Sequence, residues 1–227
     1  MARVLRQIGR WLQRGVLLAP AVGLAIAAAP HFVSGIARER TFPVPQFIGT
    51  GRAVPAESYR ETGKILASAA AVDGESAILS AQALYLAGGK GEGLARQAEW
   101  GLSRDPASGA GWTLLAALHA PTDPKTAADA LAVSLELAPY DRTLAPWRTK
   151  VAAALWNRLS PDAQNDEIRE VQQLWEGGKD GRLAVVELLS VPGGTQPAEA
   201  ALKSQPEDLR LLNRMAIRLR LGLPIGD

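Results

Sequence analysis

The sequence predicts an all-α protein: an N-terminal transmembrane helix followed by a stack of helix pairs. Three observations carry this. Ala and Leu dominate the composition, while aromatic residues make up only 5% of the chain. Such a composition favours packed helices over sheets. Residues 15–37 lack any Asp, Glu, Lys or Arg. Beyond residue 56, short apolar-periodic segments are punctuated by Gly and Pro, and three of them align on a proline.

Taken in chain order, residues 1–14 are basic, with Arg3, Arg6, Arg10 and Arg14. The formal net charge of the 227-residue chain is +2, so these four leave residues 15–227 at −2. Nothing in that body suggests a nucleic-acid surface. The chain has no Cys, which excludes disulfides, thiolate nucleophiles and Cys-based metal sites.

"GVLLAPAVGLAIAAAPHFVSGIA", 15–37, is long enough at ~1.5 Å per residue to cross a ~30 Å hydrocarbon layer. The Arg cluster precedes it, so the N-terminus is expected in the cytoplasm and the rest outside. Trp11 stands where an interfacial aromatic anchors. A cleaved signal peptide is the main rival reading, because Ala27-Ala28-Ala29 resembles a cleavage site, although Pro30 follows it, and a core or interfacial helix is the third. His31 reads as a polar marker of the span's end. Residues 38–56 hold three Pro and two Gly without a helical period and read as a linker. Residues 57–227 form the predicted repeat domain.

"ARQAEWGLSRDP", "ADALAVSLELAP" and "TQPAEAALKSQP" end at Pro106, Pro139 and Pro206. Ala98, Leu131 and Ala198 stand eight residues before each Pro, and Leu102, Leu135 and Leu202 four before. Those two positions share one helix face, and the Pro ends the helix. The period is one or two copies of a ~34-residue unit. Upstream of Pro139, "GWTLLAALH" supplies a partner helix with Trp112, Leu115 and Leu118 three apart. A hairpin of this kind buries its apolar stripe only by stacking on others.

Trp112, Leu118, Ala127, Leu131 and Pro139 fall at or within one residue of the marked positions of the tetratricopeptide repeat, and residues 75–206 resemble that family. Departures are Leu115 in place of a small residue, Gly101 in place of Ala, and a third copy, 143–176, that closes on Gly177-Gly178. The resemblance implies a right-handed, curved stack of antiparallel helix pairs whose inner face binds peptides or proteins.

"GGKGEG", 88–93, invites comparison with a phosphate-cradling loop. Such a loop needs a strand before it and a Lys followed by Ser or Thr. Here Lys90 is followed by Gly and preceded by a helical pattern, so the segment is read as an interhelical turn. Residues 141–159 read as one helix with a stripe of Leu144, Trp147, Val151 and Leu155, and Trp156 on the opposite side. Ser160, Pro161 and Asp162 mark the next helix start, with Ile168, Val171, Leu174 and Trp175 as its apolar face. The last helix runs to Gly222, with Leu209, Leu212, Ala216 and Leu219 on one face and Arg210, Arg214 and Arg218 on another.

The search for catalytic chemistry finds little that converges. His119 precedes a turn and reads as a helix end. Asp166, Glu167 and Glu170 read as helix-surface charges, and no Ser–His–acid pattern stands out. No metal and no cofactor is called for. The expected function is a non-catalytic scaffold anchored through 15–37 in a bacterial inner membrane. Its soluble domain would lie in the periplasm and bind envelope proteins, in polysaccharide assembly and export or in secretion. The alternatives are a glycan or anionic-lipid binder and, third, an envelope glycan-cleaving enzyme. Candidate partner-binding residues are Trp147, Trp156, Arg210, Arg214 and Arg218.

Overall fold

The computed structural model describes residues 28, 29, 31–41, 54–139 and 141–223. Among them the chain is helix and turn, without a strand. Helix α1 covers 31–41. Then come α2 (Ala56–Ala70), α3 (Gly74–Leu86), α4 (Glu92–Arg104), α5 (Gly109–His119), α6 (Pro124–Leu137) and α7 (Ala145–Leu155). A 3-10 turn (Trp156–Arg158) leads to α8 (Pro161–Glu176), α9 (Lys179–Leu188), α10 (Thr195–Leu202) and α11 (Pro206–Arg220).

Side-chain caps fix several starts by accepting from an orphan backbone N–H of the first turn. Asp73 accepts from Ser76 N at 2.9 Å, Ser108 from Gly111 N at 3.1 Å, Asp123 from Thr126 N at 3.1 Å, and Ser160 from Ala163 N at 3.2 Å. Pro124 and Pro161 take first-turn positions, where a missing N–H costs nothing.

Each helix from α2 to α11 packs on its sequence neighbour, and a second set of contacts skips one helix. α3 touches α5, α5 touches α7, α7 touches α9 and α9 touches α11, while α6 touches α8 and α8 touches α10. The aligned positions lie in this packing: Ala98, Leu102, Leu131, Leu135, Ala198 and Leu202 are all buried. One cluster, from Ile78 through Leu131 and Trp147 to Leu159, fills the space among α3–α7. A second, with Val171, Trp175, Val185, Leu202 and Leu212, fills that among α8–α11.

Helix α5 is covered on several sides. Thr113, Leu114, Leu115, Ala116 and Ala117 are buried, whereas Trp112 and Leu118 of the expected stripe are only half-buried. The 88–93 segment is the α3–α4 junction. Gly88 (φ 91°) donates to Tyr85 O and Gly89 to Leu84 O, both at 2.9 Å, closing the end of α3. Lys90 is exposed.

Two boundaries are corrected. Residues 38–41, expected to begin a linker, continue α1, and Ser34, Ala37 and Thr41 are buried. Ala37 packs with Leu66 and Ala69 of α2, and Arg38 pairs with Glu75 and, at 3.2 Å, with Asp73. A period too short to read on its own becomes a helix because α2 and α3 cover one side of it. The helix expected over 141–159 stops at Leu155, where the 3-10 turn redirects the chain. The basic segment 1–14, most of the span 15–37 (15–27 and Pro30), and 42–53 lie outside the described residues. Among those described, no helix is long and apolar enough to cross a membrane.

Candidate functional site

The candidate residues separate into two places. Trp147 is buried on α7, its ring 6.2 Å from that of Tyr85 on α3. It is a core residue, which corrects its place among the candidate partner-binding residues. Trp156 falls in the 3-10 turn, half-buried against the first cluster, and its carbonyl accepts from Gln164 Nε2 at 2.9 Å. Arg210, Arg214 and Arg218 are exposed on α11, which packs in the second cluster. Arg210 pairs with Glu207 at 2.7 Å.

The sequence reading missed a buried ionic cluster. Arg148 of α7 has no exposed surface, and Glu167 and Glu170 of α8 are 0% and 4% exposed. These two carboxyls, expected on the surface, face inward. Arg148 donates through Nε to Glu170 Oε2 at 2.8 Å and through Nη2 to Glu170 Oε1. Its remaining N–H groups reach Ser134 O at 2.9 Å, Ser134 Oγ at 3.3 Å and Ala138 O at 2.8 Å. All five guanidinium donors are thereby used. Ser134 and Ala138 are at the end of α6, where Ser134 O also accepts from Ala138 N at 3.1 Å and Ala138 O from Asp141 N at 3.3 Å. Arg148 therefore adds a second bond to each carbonyl at the end of α6 while holding α8.

The cluster extends to α5. Ser134 Oγ donates to Gly109 O at 2.8 Å and lies 2.8 Å from Thr113 Oγ1. Three helices meet at the guanidinium, and Ser134 links it to α5.

Glu167 is different. Both of its carboxyl oxygens are buried without a hydrogen-bond partner. Burial first, and then the charge of Glu170, push this carboxyl well above the ordinary range, while Arg148 pulls the other way. Burial also raises Glu170, but there the Arg148 hydrogen bonds directly oppose it. Glu170 is thus the carboxyl paired with Arg148, and burial disfavours the charged form of Glu167. A carboxyl covered on all sides has no room to meet a substrate, so this raised acid is a core feature.

His119 closes α5: its carbonyl accepts from Asp123 N at 2.8 Å, and its Nε2 lies 3.7 Å from Glu99. Among the described residues no group of three His, Asp or Glu is arranged to hold a metal ion. The accessible chemistry is on the surface. α1 exposes Phe32, Val33 and Ile36, and the end of α11 exposes Ile217, Leu219, Leu221 and Leu223 among its arginines. Compared with protein-family models, with curated proteins and with solved structures, the chain matches none.

Proposed function

We propose that this chain is a non-catalytic scaffold, anchored in a bacterial inner membrane and holding envelope proteins through its helical domain. The two faces of α1 carry the reading. Ser34, Ala37 and Thr41 are buried and Arg38 is ion-paired to α3, while Phe32, Val33 and Ile36 point the other way and are exposed. That exposed apolar face continues the uncharged run that begins at residue 15. A soluble helix gains nothing from such a face, whereas a helix leaving a bilayer rests it in the lipid interface. The domain would then be held at the membrane by direct packing on α1.

The skipping contacts α3–α5–α7–α9–α11 and α6–α8–α10 suit a tetratricopeptide-like solenoid of pairs α3/α4, α5/α6, α7/α8 and α9/α10. An extended surface of this kind suits peptide or protein partners, here in a periplasmic polysaccharide-export or secretion assembly. A reporter active only outside the cytoplasm, fused after Asp227, tests the topology. It should be active, and intact mass should show residues 1–37 retained. Activity of a cytoplasm-only reporter at the same position would overturn the placement.

A further inference from the structure

We propose that the C-terminal tip of α11 is a second lipid contact, seated among the headgroups of an anionic membrane. The tip is the last turn of α11 and the two residues after it. Leu212, Met215 and Ala216 fasten the preceding turns into the second cluster. From residue 217 to 223 every side chain is exposed.

Three features select the occupant. The first is charge. Arg218 and Arg220 lie in the tip, Arg214 stands one turn before it and Arg210, paired with Glu207, two turns before, and no Asp or Glu occurs between 209 and 226. The rest of the chain beyond residue 14 is acidic on balance, so the cations are concentrated at this end. Such a cluster is attracted to anionic lipid and screened by salt.

The second is the arrangement of apolar groups. Ile217 is 57% and Leu221 67% exposed, and both share the outer side of α11 with Arg210 and Arg214. At ~100° per residue, Leu219 points to nearly the opposite side. A protein groove grips one stripe of a helix. Aliphatic side chains spread around a tip and alternating with arginine fit a medium that surrounds the tip. Arginine stems lie along the apolar boundary while the guanidinium reaches phosphate.

The third is the backbone. Leaving helix carbonyls unpaired in a water-poor layer is costly. Gly222, at φ 66°, turns the chain so that its N–H reaches Leu219 O at 3.0 Å and Leu223 N reaches Arg218 O at 2.9 Å. Two terminal carbonyls are thereby closed. This contact lies on α11 and does not depend on the anchor at the other end of the chain.

The absence of Cys allows a single reporter. The full-length Leu221→Cys chain is labelled with a polarity-sensitive dye and reconstituted with phosphatidylcholine vesicles, with or without phosphatidylglycerol. The dye should shift to the blue and be quenched by brominated lipid only on the anionic vesicles. Added salt should reverse this. In the Arg214→Glu/Arg218→Glu background, checked for helicity by circular dichroism, the anionic-lipid concentration needed should rise by on the order of tenfold or more. If that variant unfolds, the lipid and salt dependence of the unmutated tip decides. A dye that stays aqueous on anionic vesicles, or shifts equally on neutral ones, overturns the proposal. A shift produced only by an acidic protein does so too. The same dye at Phe32→Cys reports the anchor separately, in either lipid, so the two readings fail independently.

Discussion

Arg148 and Glu170 form a buried, two-bonded ion pair between α7 and α8, with Nε to Oε2 at 2.8 Å. Removing one partner leaves the other charge uncompensated in the core. Glu170→Ala should therefore cost about 3–5 kcal/mol in a urea titration. Arg148→Met with Glu170→Leu should cost less than the sum of the two single changes. The double variant should still fall below the parent protein, because Ser134 O and Ala138 O lose the guanidinium bonds that add to their backbone ones. Strict additivity would mean that the pair is not coupled.

Glu167 gives the cluster a pH signature. Its folded-state pKa is raised and its unfolded value is ordinary, about 4.3. Below that value the carboxyl is neutral in both states, and its burial carries no ionisation penalty. As pH rises above it, the unfolded chain releases the proton first, so stability falls with pH toward the folded-state pKa. Glu167→Gln removes this dependence. The stability of the variant relative to the parent should climb as pH rises above the unfolded value toward the raised folded-state pKa. A flat difference across that range would place the carboxyl in an ordinary environment.

Much of the helical plan was legible. The six aligned positions before Pro106, Pro139 and Pro206 are all buried, because a helix that ends at Pro and packs by one face leaves that period in the sequence. The capped start at Ser160 is a local signal too. The ionic cluster was misread because charge was taken as a sign of exposure. Glu167 stands four before Val171 and seven before Leu174, and Glu170 four before Leu174, so both lie on the apolar face of α8. Arg148 sits between Leu144 and Val151 on the stripe of α7. Spacing could have flagged all three. That α7 and α8 bring them together was not written in either helix. The continuation of α1 through 38–41 was missed because what holds it lies on α2 and α3, beyond local pattern.

Gly101 explains one departure from the repeat. A Cβ there would stand 2.7 Å from Ile78 Cγ1 and 2.9 Å from Gly74 O, because α3 and α4 cross with glycine on both sides. Ala improves helix propensity by about 1 kcal/mol. The clash should outweigh this, and Gly101→Ala should be destabilising by about 1–3 kcal/mol. Gly93→Ala, in the first turn of α4 with open space around it, should be neutral or stabilising. Equal thermal shifts for the two would contradict the close crossing.

Leu135 and Lys90 test the repeat reading directly. Leu135 is buried in the first cluster at a repeat position, so Leu135→Ala should cost about 2–5 kcal/mol. Lys90 is exposed in the α3–α4 turn, and Lys90→Ala should change stability by less than about 0.5 kcal/mol. Loss of phosphate or nucleotide binding on that change would reopen the phosphate-loop reading.

The docking of α1 can be broken at Ala37. Its methyl is buried against Leu66 and Ala69, with Thr41 one turn on donating to Ala37 O at 3.1 Å. Glu at this position would bring a charge against two apolar side chains without a partner there. The Arg38 pairs with Asp73 and Glu75 are partly exposed and hold only weakly on their own. Ala37→Glu should therefore release α1 from α2 and α3 while α4–α11 stay folded. Hydrogen exchange should accelerate across 31–41 and leave the amides of α5 and α8 protected, since those helices are packed in other clusters. Arg38→Ala should give a smaller acceleration in the same segment. If 31–41 exchanges at the same rate in the parent and in Ala37→Glu, α1 does not dock, and the proposed link between an anchor and the helical domain is lost.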